Sequence, residues 1–302
     1  MPSQAPAGHD RSLAAGLTHV QRAGTHARGW IEPDAKKKKS LIYWADNLTN
    51  VVTIFSAGKN PKQKGQITDG ISSPQRLFVD KSGNLYVTNN GYGYAPYGDI
   101  TIYKPGVSSP QLTITSGVDN PTGLTVDAAG TVYCANVTFP ASITEYAAGQ
   151  STPSLTVGLQ YNPAEWLAID ASDNLYASTL DGTVVEFAPG STSGTNLNLQ
   201  IGYAGALEVD RSGNIVVVDE DASAIDFFPA GQTKPSKTIS LYPDYPFALS
   251  LSKDEKKLYV TVSAGSKFSV QELRYPGGTA LTTKIGGSTG DWPIAVSLDA
   301  VL

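Results

Sequence analysis

Pro74-Gln75-Arg76-Leu77-Phe78-Val79-Asp80 runs into Lys81-Ser82-Gly83-Asn84 and then Leu85-Tyr86-Val87, and the same phrase returns along the chain. Pro121-Thr122-Gly123-Leu124-Thr125-Val126-Asp127 leads into Gly130 and Val132-Tyr133-Cys134. Ala164-Glu165-Trp166-Leu167-Ala168-Ile169-Asp170 leads into Leu175-Tyr176-Ala177. Further copies start at Ala204, Pro246 and Pro293, so successive starts lie 40 to 47 residues apart. Self-similarity at such a period marks a repeated supersecondary unit that buries its faces against copies of itself.

Each copy reads as four strands. The first carries Leu or Val at alternate positions and ends in an Asp-x-x-Gly-type turn, where a side-chain acceptor and a residue able to take positive φ are needed. The second is of the Leu-Tyr-Val kind, and the third resembles Ile100-Thr101-Ile102-Tyr103. The fourth is a Thr-rich outer strand such as Leu112-Thr113-Ile114-Thr115. The sixth copy, from Pro293, stops after one strand, and its continuation stands at the other end of the chain as Leu41-Ile42-Tyr43-Trp44-Ala45-Asp46. This predicts an all-β, six-bladed β-propeller in which the C-terminal strand joins the N-terminal blade and closes the ring without an open edge. Residues 38–302 form the propeller on this reading. Residues 1–37 match no blade and read as a flexible leader.

The repeated Pro-x-x-Leu-x-Val-Asp-x-x-Gly-Asn-Leu-Tyr-Val core resembles NHL-repeat propellers and, more loosely, the gluconolactonase/senescence-marker superfamily. The resemblance spans roughly residues 40–302 and speaks to fold more than to function. The looser one implies a divalent cation, calcium first, at the top of the central channel. Matching positions are Glu165 at a blade entrance and Asp46, Asn89, Asn136 and Asp219 at the ends of second strands. The set is incomplete, because Thr179 and Val262 fill the other two aligned positions and no second carboxylate aligns beside Glu165. Turn capping by the same Asp and Asn residues is the plainer reading.

Composition narrows the function classes. A net charge of −5 and a pI near 5.2 disfavour nucleic acid as a partner. The basic run Lys36-Lys37-Lys38-Lys39 reads as a solvated boundary ahead of the first strand. No apolar stretch is long enough to span a membrane. Residues 12–20 are too short and interrupted for a signal-peptide core, while the Lys-poor, Ser/Thr/Tyr-rich composition resembles exported bacterial proteins, extracellular or periplasmic. The single cysteine, Cys134, reads as a buried, inert thiol. His9, His19 and His26 all precede the repeats, so Ser-His-Asp hydrolysis and histidine-ligated zinc or haem are set aside.

Two inner-strand charges stand out, Arg76 and Glu208. A buried charge needs a partner, so they pair with one another, with Glu165 or with a ligand. Tyr92, Tyr94 and Tyr97 in the longest top loop, with Phe139 and Phe268 in neighbouring loops, form a candidate aromatic lip. With no complete acid/base set, the expected function is a non-catalytic binding or scaffold propeller. It recognises a protein, peptide or glycan through its top face and requires no cofactor. The alternative is a metal-dependent lactonase or related hydrolase.

Overall fold

A computed structural model describes residues 29–32, 41–91, 97–160, 162–265, 267–278, 282–285 and 293–298. Among them every regular element is a strand. The strands form six antiparallel sheets, each one copy of the repeat. Blade 2 holds β5 (Pro74–Val79), β6 (Leu85–Asn89), β7 (Asp99–Tyr103) and β8 (Leu112–Ile114). Blade 3 holds β9 (Pro121–Val126), β10 (Val132–Asn136), β11 (Ala141–Tyr146) and β12 (Leu155–Gln160). Blade 4 holds β13 (Ala164–Ile169), β14 (Leu175–Thr179), β15 (Val184–Phe187) and β16 (Thr195–Asn196). Blade 5 holds β17 (Ala204–Val209), β18 (Ile215–Asp219), β19 (Ala224–Phe228) and β20 (Lys237–Ser240). Blade 6 holds β21 (Tyr245–Leu251), β22 (Lys257–Ala264), β23 (Lys267–Arg274) and β24 (Thr282–Ile285).

Blade 1 is assembled from both ends of the chain. Its order is β1 (Trp30–Ile31), β4 (Gln63–Ile67), β3 (Val51–Ser56), β2 (Leu41–Asp46) and β25 (Pro293–Leu298). β2 and β25 pair antiparallel, with Ile42 opposite Leu298 and Trp44 opposite Val296. β25 in turn touches β5 on one side and β21 on the other, so the innermost strands make an unbroken circle. The ring is closed as the split sixth copy requires. β1 was not foreseen: Trp30 lies opposite Gln66 and Ile31 opposite Gly65, inside the segment taken as leader. Gly65 explains the docking, because a Cβ there would meet the Trp30 carbonyl oxygen at 2.7 Å.

The core lies between blades rather than within one. Leu41, Tyr43 and Ala45 point at blade 2 and pack on Leu77, Val79 and Val87. Their alternates Ile42 and Trp44 point at blade 6 and pack on Ala248, Tyr259 and Val270. Strand periodicity sends successive side chains to opposite faces, and here each face meets a different neighbour. That is why β2, β6, β10, β14 and β18 are buried at every position instead of at alternate ones.

The Asp that ends the inner strand organises the turn. Asp80 Oδ1 accepts the amides of Ser82 and Asn84 at 2.8 Å, and Oδ2 accepts Asn84 Nδ2 and the Tyr86 hydroxyl. Asp170 repeats the whole set with Ser172, Asn174 and Tyr176. Gly83 and Gly213 take φ of 79° and 78° in these turns, a region costly for residues with a Cβ. Blade 5 has Val216 where the tyrosine belongs, and Tyr275 of blade 6 supplies the hydroxyl to Asp210 at 2.8 Å instead. The motif is therefore a folding signature, with its polar atoms spent on the turn.

Closure predicts where the fold is most sensitive. Ile42→Ala, at a fully buried position facing blade 6, should cost about 2–5 kcal/mol, read as a lower urea midpoint. A chain ended at residue 290 loses β25 and leaves the inner edge of β2 unpaired. It should lose the single cooperative urea transition of the intact chain.

Candidate functional site at the top of the channel

The top face collects the loops from second to third strands and those between blades, and the register of the inner strands shapes its centre. Pro74 pairs with Asn89 but Arg76 with Thr88, so Gln75 bulges out of the ladder. The same slip frees Thr122, Glu165, Phe247 and Ile294, and a wider one frees Gly205 and Ala206. A β-bulge re-aims a side chain at a rim. Glu165 and Gln75 thus occupy equivalent bulge positions near the start of their inner strands.

Glu165 has company that the alignment did not supply. Glu220, the first residue beyond β18, lies over Gly205, where any Cβ would collide with its carboxylate. The Tyr245 hydroxyl donates to Glu220 Oε2 at 2.7 Å. Both carboxylates act on the Arg76 guanidinium, Glu165 more strongly. Of the two acids open to Arg76, Glu165 is the one whose charge bears on it. Glu208 is not, and its Oε1 instead accepts the Leu251 amide at 3.4 Å. Arg76 also reaches from blade 2 to blade 4, its guanidinium carbon 3.3 Å from the centre of the Trp166 ring. Planar stacking of this kind suits arginine and not lysine.

The second-strand ends are occupied. Asn89 Oδ1 accepts the Ser72 amide at 3.0 Å while its Nδ2 donates to the Gly70 carbonyl, and Asn136 does the same with Asp119 and Gly117. Asp219 takes the amides of Gly202 and Ala222, and Asp46 those of Leu48 and Thr49. These side chains tie each interblade loop or hairpin to its blade. The oxygens proposed for a cation accept loop amides, as turn capping requires, and Glu165 feels the charge of Arg76. Among the described residues no three His, Cys, Asp or Glu side chains gather as a metal group.

The aromatic lip is partly rearranged. Tyr97 is 48% exposed and Phe139 64%, while Tyr92 and Tyr94 lie outside the described residues. Phe268 does not stand on the lip. It is buried between blades 6 and 1, its ring 5.9 Å from Phe247, which packs at 5.1 Å on Tyr245. The structure places Phe268 in β23 and not in a loop, and the bulged Phe247 covers it. Two exposed residues that the repeat did not flag, Tyr242 at 81% and Leu48 at 45%, join the same face. Cys134 is fully buried and its thiol is pushed up by desolvation, as an inert thiol should be.

No protein-family model matches the sequence, and no curated protein matches it. The NHL-like resemblance therefore rests on the quoted cores alone. Among solved structures, the chain is similar to one from a crystal structure of a nidogen/laminin complex, at a TM-score of 0.66 and 16% identity. That match covers 86% of this chain and 98% of the other. It is also similar to a functionally unknown protein from Desulfotomaculum acetoxidans, at a TM-score of 0.56 and 13% identity over 82% of this chain and 80% of that one. At these identities the likeness establishes the six-bladed propeller fold.

The buried acids set a pH dependence. Burial pushes the Glu208 carboxyl from its ordinary 4.5 up to about 8, and desolvation takes Glu220 to about 7. The folded chain therefore holds these protons more tightly than the unfolded chain does. Stability is highest below the unfolded value and falls as pH rises through the folded ones. Urea midpoints should decline between about pH 5 and about pH 8, and Glu208→Gln should make that decline shallower.

Proposed function

We propose that the propeller is a non-catalytic binding module whose top face recognises a protein or peptide carrying cationic and apolar side chains. The observation that carries this is the one-sided charge of the top loops, which the opposite face does not share. The top loops hold Asp69, Asp119, Asp181, Glu220, Asp221 and Asp244 and contain neither lysine nor arginine. The opposite face mixes both signs, with Lys59, Lys62, Lys81, Lys104, Arg211, Lys234, Lys253 and Lys256 beside Asp80, Asp127, Asp170, Asp173, Asp210, Asp254 and Glu255. A net charge of −5 therefore understates how acidic the top is.

The same face carries most of the exposed apolar bulk. Of the six large hydrophobic residues exposed among the described residues, Leu48, Tyr97, Phe139 and Tyr242 stand in top loops. Aromatic anchors inside a polar, charged rim are the composition of protein-recognition surfaces, and an acidic field speeds the approach of a basic partner. The similar propeller from the nidogen/laminin structure comes from a complex of two proteins, which agrees with this reading. The acidic field disfavours acidic glycans.

Peptides selected on the immobilised propeller from a random display library test the proposal. They should be enriched in Lys or Arg next to aromatic or aliphatic residues, and their affinity should fall as salt rises. A Tyr97→Ala, Phe139→Ala, Tyr242→Ala variant should bind them about tenfold more weakly or worse. Val107→Ala, exposed on the opposite face, should bind them normally. Peptides without basic character, or equal binding by the triple variant, would overturn the assignment.

A further inference from the structure

The central channel below the Arg76–Trp166 stack is a second site, separate from the top face. It encloses a cavity of about 250 Å³ lined by the inner strands of blades 2 to 6. That is just under the roughly 300–1,000 Å³ of sites for drug-sized ligands. Its walls are mostly apolar: Leu77, Leu124, Leu167, Leu207 and Leu249, from equivalent positions of five blades, with the side of Trp166. Thr125, Glu208 and Ser250 add polar groups midway along it, and Arg76 and two lysines stand at its ends.

At the deep end lies Arg76, nine-tenths buried. A guanidinium has five N–H donors. Among the described residues the Arg76 side chain makes one hydrogen bond, from Nη1 to the Gln75 carbonyl at 2.8 Å, and its buried Nε has no partner. Burial that its neighbours do not compensate lowers its pKa to about 10, against the pull of Glu165 and Glu220. It stays charged at neutral pH with donors to spare, the condition of a side chain waiting for an acceptor.

The other groups favour an anion there. Glu208 lines the same cavity, and burial raises its carboxyl to about 8. That shift weakens its negative charge toward an anion in the cavity. At the opposite end Lys81 and Lys253 line the opening, beside an Arg211 guanidinium that is paired with Glu255. The nearby Asp80 carboxylate is consumed by its turn and by Tyr86. An inorganic anion would face leucine walls, whereas an organic acid matches both the charged end and the apolar sides.

We propose that the channel binds a small monocarboxylate with an apolar body, admitted past Lys81 and Lys253, its carboxylate on Arg76 and its body against the leucine ring. Titration calorimetry with benzoate and butyrate, and with benzamide as the uncharged match, tests this on the full chain. The carboxylates should bind, benzamide about tenfold more weakly or worse, and Arg76→Met should lose benzoate by about the same factor, the loss of one charge-assisted hydrogen bond. Should Arg76→Met fail to fold, the exposed rim variant Lys81→Glu/Lys253→Glu serves instead, and it should weaken benzoate severalfold. Absence of carboxylate binding by the wild-type chain overturns the proposal, as does equal binding of benzamide. Unchanged affinity in Arg76→Met, or in the rim variant when it stands in, overturns it too.

Discussion

The backbone ladder between β2 and β25 is the constraint on which the remaining geometry depends. Five blades can each pair their own strands locally, but the sixth exists only when residues 293–298 return to residues 41–46. Until they do, the Ile42 and Trp44 face of blade 1 has no core to join, and the inner edge of β2 is open to other chains. Joining the two ends also forces the six inner strands into one circle of fixed circumference. The channel is a consequence of that closure, and so is the crowding that lets an arginine from blade 2 reach a tryptophan in blade 4.

Burial on both faces of every blade leaves little freedom for function within the sheets. Variation is confined to loops and to the inner-strand bulges, where a residue leaves the ladder without breaking it. Glu165 and Phe247 use that freedom at the top, and Gly205 yields its place to Glu220. The two ends of the molecule then differ in charge because different loops reach them. The turns after inner strands mix Lys81, Arg211 and Lys253 with Asp80, Asp210, Asp254 and Glu255 at one end, and the charged residues of the described interblade loops are all acids at the other.

Much of the fold was legible because the repeat is local. Inner-strand start, Asp-capped turn and Leu-Tyr-Val strand fall within fourteen residues from Pro74 to Val87, so each copy announces itself. The split copy at Pro293 was legible for the same reason. β1 was not, since two residues carry no periodicity and their docking depends on Gly65, which looks like any strand glycine until a backbone lies against it. The site was legible in part. Arg76, Glu165 and Glu208 broke the inner-strand pattern and were visible as exceptions. Glu220 was hidden because it follows the aligned Asp219 by one residue. Its only signal was Gly205, where the other blades place Gln75, Thr122, Glu165, Phe247 and Ile294. Phe268 misled because its cover, Phe247, comes from a bulge.

Arg76 belongs to both sites. Lying on Trp166, it feels the charge of Glu165 and Glu220 and lines, with Glu208, the cavity below. A cation drawn to the top and an anion drawn into the channel would then both act on one guanidinium. Each would relieve part of an imbalance that the other leaves: the cation answers the second glutamate, the anion answers the unused donors.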